Sequence, residues 1–181
     1  MPSNGYTNSI SCNGRGLITI RKLEWLHLYN FIKFLHLNSS KIDDFYGIRE
    51  MIVEKSDFKD IPDIMKRIYD GDCLILCAFN NTNNIIGFSG VFKNLNTGNF
   101  EIFIDKDYRN KGIGNILINT TLEYSGYLGV INMDLHVREN NKNSIRLYKK
   151  NGFKKIKTIK NNIVYNNSLV SEILMSLKLH Y

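Results

Sequence analysis

The 181-residue chain is short of the residues that staple, ligate or punctuate a fold: three cysteines, four histidines, two prolines and one tryptophan. Cys12, Cys73 and Cys77 are odd in number and do not cluster, which argues against a disulfide framework. Cys73 and Cys77 lack the second Cys or His pair that a zinc site needs, and His27, His36, His136 and His180 form no ligand motif. No metal is therefore expected, and a reducing, cytoplasmic setting is the simplest reading. Long apolar runs are missing too. The most apolar helical stretch, "WLHLYNFIKFLHL" (25–37), is too short to span a bilayer and carries Lys33. It reads as a buried core helix, and no membrane is expected as a partner. Residues 1–16 are rich in Ser, Asn and Gly, with no apolar segment of the kind a secretory signal requires. They read as a flexible N-terminal tail ahead of one domain over 17–181. No internal repeat or Pro-rich linker divides that domain.

What is present looks globular: 43% of residues are hydrophobic and 12% aromatic. One domain of this length buries a sizeable core. The net charge is +7, from 24 Lys and Arg against 17 Asp and Glu, which suits an anionic partner. The basic residues are spread out, with one concentration at Lys149, Lys150, Lys154, Lys155, Lys157 and Lys160. A solvated face explains that concentration, and no nucleic-acid recognition motif accompanies it, so no nucleic-acid partner is expected.

Periodicity places the elements. "LITIRKLE" (17–24) alternates and reads as a strand, and 25–38 as a helix. The stretch 39–55 is ambiguous. A helix is expected over 56–70, opened by the cap residues Ser56 and Asp57. "CLILCAF" (73–79) and "IIGFSGVF" (85–92) flank a polar "NNTNN" and read as a hairpin. "NFEIFID" (99–105) is a further strand. Ile113, Ile116, Leu117, Thr120 and Tyr124 then fall on one helical face, and Gly126 and Gly129 end that helix. "VINMDLHV" (130–137) alternates again. "NKNSIRLYKKNGF" (141–153) is a short helix with Asn141 as N-cap, Lys149 and Lys150 in its last turn, and Gly152 as a stop. Strands over 153–160 and 172–179 close the chain, with a loop from 161 to 171 between them. The order specifies an α/β (α+β) fold with a mixed sheet and packed helices.

"RNKGIG" (109–114) sits where a strand hands over to a helix. The first turn of a helix leaves N–H groups without intrahelical partners, and the dipole adds partial positive charge there. Glycines at 112 and 114 let a ligand approach the backbone, and Arg109 and Lys111 add charge. The hexapeptide thus reads as a phosphate cradle. It is neither a Walker loop nor a dinucleotide fingerprint, whose third glycine is missing at Asn115, Ile116 and Leu117. By itself it is equally a simple basic loop.

The two motifs together resemble the GNAT acetyltransferase superfamily. Arg109, Gly112 and Gly114 match its Arg/Gln-x-x-Gly-x-Gly/Ala coenzyme motif. Asn141, Leu147, Tyr148, Gly152 and Phe153 fit its later Asn…Tyr…Gly-Phe motif, with Ser144 where Ala is usual. Lys106 replaces a common Pro ahead of the turn. The resemblance runs over residues 17–179 and implies a mostly antiparallel sheet, splayed at the strand pair beside the coenzyme, with helices on both faces. It implies acetyl-CoA as cosubstrate and direct transfer of its acetyl group to a primary amine in a ternary complex. The acceptor is a small-molecule amine, an amino acid or a protein amine, and the segments 25–55 and 161–171 are expected to form its side of the site. The pyrophosphate is expected on Arg109, Asn110, Lys111, Gly112, Ile113 and Gly114. The pantetheine arm is expected along Ile102, Phe103 and Ile104, with Asn141 and Ser144 nearby. Tyr148 is the expected general acid, although its spacing from Ile145 equally suits a core residue. Glu101 is the candidate base, with an exposed strand carboxylate or a water relay as the alternatives. Members are often homodimers. A GNAT-fold protein that binds acyl-CoA without catalysis, and a basic nucleic-acid-binding module, are the rival readings.

Overall fold

Strands declare themselves by which faces they bury, and the sheet here has two. In the computed structural model, which describes residues 7–11, 17–38, 61–165 and 167–180, every residue of Cys73–Phe79 is buried. A strand buried on both faces must be covered on both faces. One face carries Leu74, Leu76 and Ala78 and the other Ile75, Cys77 and Phe79, which belong to two separate apolar cores.

The elements run β1 (Thr7–Ser11), β2 (Leu17–Lys22), a 3-10 turn (Trp25–His27) leading into α1 (Leu28–Asn38), α2 (Ile61–Asp70), β3 (Cys73–Phe79), β4 (Ile85–Asn94), β5 (Thr97–Ile104), a 3-10 turn (Lys106–Tyr108), α3 (Ile113–Ser125), β6 (Asn132–Arg138), α4 (Lys142–Lys150), β7 (Lys154–Tyr165) and β8 (Ser168–Lys178). They form one eight-stranded sheet in the order β1-β2-β3-β4-β5-β6-β8-β7. Every neighbouring pair is antiparallel except β5 and β6. That one parallel pair follows from α3, which carries the chain from the end of β5 back to the start of β6.

On one face, Phe31, Phe34 and Leu35 of α1 and Ile64, Met65 and Ile68 of α2 pack on Phe79, Phe88 and Phe103. The rings of Phe31 and Phe88 meet edge to face at 5.3 Å between centroids. On the other face, Ile113, Leu117 and Ile118 of α3 and Tyr148 of α4 cover Phe100, Met133, Leu135, Val137 and Met175. This second core bridges β5 and β6, so it holds the two halves of the sheet together where the ladder between them is short. The α/β fold with a mixed, mostly antiparallel sheet and helices on both faces is as expected.

Two expectations are corrected. The N-terminal stretch read as a loose tail contains β1, paired from Thr7↔Arg21 to Ser11↔Leu17. "TNSIS" has a single apolar residue and so leaves no periodic signal. The loop expected over 161–171 is instead the far end of a long β7–β8 hairpin, with Tyr165 opposite Ser168. β7 is an edge strand, largely exposed, and its register shifts between Ile159 and Ile163, where Asn161 has φ +47°. A bulge on a solvated edge destroys the alternation that would reveal a strand. The expected caps Ser56 and Asp57, and the ambiguous stretch 39–55, lie outside the described residues. Among the described residues, no helix is long and apolar enough to cross a membrane.

Candidate active site

β5 pairs with β4 along its whole length, from Thr97↔Asn94 to Ile104↔Gly87. On its other side it pairs with β6 only at Thr97↔Asn132, Gly98↔Met133 and Asn99↔Asp134. Beyond those three pairs the strands part. Asn96 O accepts from Ile131 N and Asn132 N across this seam, and Ile104 O accepts from Arg109 Nε at 2.9 Å. Backbone groups alternate sides along a strand, so the Ile102 N–H and C=O, in the same register, face the gap.

The gap is a cleft of about 490 Å³, lined by Ile102, Phe103 and Ile104 from β5 and by His136, Val137 and Arg138 from β6. The Arg109–Asn115 turn closes one end, and Asn141, Ser144, Leu147 and Tyr148 border it from α4. Its walls draw on both faces of the sheet. Ile102, Ile104, Leu147, Val137 and Tyr148 belong to the α3/α4 face, while His136 and Arg138 alternate with Leu135 and Val137 onto the other.

The turn is built to hold backbone amides open. Asp105 accepts from Asp107 N at 2.9 Å and stops the strand, and Asn110 and Gly112 take φ of +60° and +83°. Gly112 is the N-cap of α3, and its carbonyl accepts from Asn115 N and Ile116 N. The amides of Gly112, Ile113 and Gly114 precede the first intrahelical acceptor and project from the positive end of the dipole. The two glycines serve different ends. Gly112 needs its left-handed backbone, and the space where a Cβ would stand is open. At Gly114 a Cβ would sit 3.0 Å from Leu147 Cδ2 and 3.2 Å from Ile104 Cδ1. The bare backbone there makes room for the protein's own side chains as well, although Gly114 also lines the cleft. A cradle with open space beside Gly112, unpaired amides and a strand edge with free register fits the pyrophosphate and amide-bearing arm of a coenzyme A thioester.

The basic side chains are held by the chain itself. The Arg109 guanidinium bonds Ile104 O and lies over the Phe103 ring at 5.6 Å, which keeps its charge at the cleft wall. Lys111 Nζ donates to Asp107 O and lies over Tyr108, away from the lining. Asn141 accepts from Ser144 N at 3.2 Å and caps α4. The Tyr148 ring is 7% exposed and meets Phe100 edge to face at 6.3 Å. It is at once a core residue and part of the cleft wall.

Three expected residues do not line the cleft. Lys111 is turned away, Ile113 is buried in the core under α3, and Glu101 lies on the opposite face of β5 from Ile102, with Phe103. One step of strand alternation separates Glu101 from Ile102. Sequence reasoning in turn missed His136 and Arg138, at and just past the end of the alternating stretch 130–137. His136 Nδ1 lies 3.8 Å from Glu172 Oε2, and Glu172 is 1% exposed and accepts from Asn162 Nδ2. The Arg138 guanidinium stacks on the Tyr165 ring at 3.3 Å. Tyr165 and Asn162 belong to the hairpin that the sequence concealed. Cys73 and Cys77 take no part: both sit in β3, and burial pushes the Cys73 thiol up to about 12 and raises the Cys77 thiol as well. A thiol held protonated is not a nucleophile.

Comparison with known proteins agrees with this geometry. The family model of the GNAT acetyltransferases matches residues 37–153, more than half of the 181-residue chain. An uncharacterised N-acetyltransferase of Methanocaldococcus jannaschii is 42% identical over 60 residues, which is 33% of this chain and 26% of that protein. That match spans about a quarter of the relative's length. Among solved structures, a GNAT-family acetyltransferase from Streptococcus pneumoniae superposes with a TM-score of 0.77 at 22% identity, covering 90% of this chain and 99% of that one. A ribosomal-protein-S5-alanine acetyltransferase from Vibrio fischeri gives 0.77 at 14% identity, with coverage of 95% and 97%. The spermidine N-acetyltransferase of Vibrio cholerae, in complex with CoA and spermine, gives 0.72 at 23% identity, with coverage of 90% and 95%.

Proposed function

Because the chain belongs to the GNAT acetyltransferase family, we propose that it transfers the acetyl group of acetyl-CoA to a primary amine by direct attack in a ternary complex. The observation that carries this reading is the parted β5–β6 seam running onto the amides of Gly112, Ile113 and Gly114. Acetyl-CoA supplies an acyl group already activated as a thioester. The Arg109–Gly114 turn holds the pyrophosphate through backbone N–H groups and the helix dipole. Ile102 offers its amide and carbonyl to the pantetheine arm as a strand edge would. Tyr148 Oη protonates the departing thiolate, because a phenol of pKa ~10 is matched to a thiol of ~8.5. The Phe100 and Phe153 rings fix its plane. Two of the three solved neighbours are named for unlike acceptors, spermidine and a ribosomal-protein alanine, so the acceptor of this chain is set by its own walls.

Thermal unfolding with and without acetyl-CoA tests the reading. Coenzyme at 100 times Kd stabilises by about 2.7 kcal/mol, or roughly 5–10 °C for a chain of this size. Gly112→Asp is expected to abolish the shift, because it puts a carboxylate where the pyrophosphate belongs. Tyr148→Phe is expected to keep the shift and lose about 10²-fold or more in kcat. A folded protein with no shift at saturating coenzyme overturns the proposal, and salt-sensitive nucleic-acid binding becomes the next measurement.

A further inference from the structure

We propose that His136 is the general base that deprotonates the acceptor amine, and that buried Glu172 is its positioning residue. This rests on the acetyl-transfer reading above. An ammonium ion has no lone pair, so it must lose a proton before it can attack. Arg109, Arg138 and Lys150 on the cleft wall are donors with no acceptor atom. Tyr148 is placed to give a proton. Among the described lining residues, His136 is the side chain with a ring nitrogen that can accept one.

Its setting supports that role. Glu172 Oε2 stands 3.8 Å from Nδ1, an ion-pair separation that favours the Nδ1–H tautomer and leaves the acceptor lone pair on Nε2. Glu172 is 1% exposed and anchored by Asn162, so it cannot reach an amine in the cleft, but it stabilises the imidazolium once formed. His136 and Tyr148 line one cleft from opposite faces of the sheet. That arrangement lets base and acid act on the attacking and departing sides of the acyl carbon. Among the described residues, the charged groups that the register puts on the His136 face are Asp134 and Arg138 of β6, Glu172 and Lys178 of β8, Lys154 and Lys157 of β7, and Glu101 of β5 across the parted seam.

The protons balance. Nε2 takes one proton from the ammonium, and the freed lone pair forms the N–C bond. The C–S bond breaks, and the thiolate takes the Tyr148 proton. The second nitrogen proton returns to the Tyr148 phenolate, and His136 releases its proton to water.

The test is kcat/KM against pH for the wild type, His136→Ala and Glu172→Gln. Acetyl-CoA is the donor, with spermidine and a tripeptide bearing a free α-amine as acceptor probes. His136→Ala is expected to lose about 10²-fold or more and to lose the acid limb of the profile. Glu172→Gln shows a smaller loss in the same direction. Added imidazole is expected to restore His136→Ala, which a purely structural role does not predict. All three proteins are expected to keep the same coenzyme-induced thermal shift, which shows they are folded. Equal rates and profiles for wild type and His136→Ala overturn this proposal and leave acetyl transfer standing. A wild type that binds acetyl-CoA but acetylates neither probe removes the catalytic reading, and this proposal with it.

Discussion

Burial holds the His27 imidazole below its ordinary value of 6.5; the nearby Glu24 opposes the shift and Arg21 adds to it. The ring is 6% exposed and packs on Phe79 at 5.2 Å. The folded state therefore prefers neutral His27, and the unfolded chain binds the extra proton as pH falls. The stabilisation is complete above the ordinary value and is lost as pH falls through it towards the lowered folded value. The melting temperature is expected to drop between about pH 7 and pH 5, and His27→Gln to flatten that slope. An unchanged slope in the variant assigns the acid loss to other groups. Nothing in "EWLHLYN" reveals this, because the same pattern fits an exposed or a buried ring. Tyr148 and Asn141 were legible, since motif and cap chemistry fix their places within a few residues. His136 was not, because its relevance comes from Glu172, which is distant in sequence.

α3, α4 and β5 meet at Gly114, where the missing side chain sets how closely the three elements approach. Gly114→Ala puts a methyl 3.0 Å from Leu147 Cδ2 and 3.2 Å from Ile104 Cδ1. Overpacking of that kind costs about 1–3 kcal/mol, or roughly 2–12 °C in melting temperature. Leu147→Ala removes one of the two clashing groups. The double variant is therefore expected to lose less than the sum of the singles, as a double-mutant cycle on thermal unfolding would show. Additive losses would mean that Ile104, or the backbone, takes the strain. The helices on this side were legible in the sequence because an apolar stripe closed by glycines marks α3, and an N-cap and a glycine stop mark α4. β1 and the outer half of the β7–β8 hairpin were not. β1 has a single apolar residue in its sequence, and β7 is a largely exposed edge strand whose register shifts, so neither shows a clear alternation.

Across the whole molecule, three residue pairs join the β1–β5 half of the sheet to the β6–β8 half, and the α3/α4 core spans the seam. Amide exchange is expected to be fast at Ile102 and Gly112–Gly114 in the free protein, and to slow on adding acetyl-CoA. The centre of β3, sealed on both faces, should stay protected throughout. Equal exchange at Ile102 with and without coenzyme would remove the strand-edge contact from the proposal. The parted seam itself could not be read from any one segment, because both strands look ordinary and only their divergence makes the cleft. It also gives the sheet an unfinished ladder. A molecule lying along Ile102 completes the hydrogen bonding that the chain leaves open and so becomes a temporary member of the sheet. Cohesion and affinity are then one quantity measured in two ways. A substitution far from the cleft that widens the seam should weaken binding, and a tightly held occupant should rescue folding in variants whose own two halves barely hold.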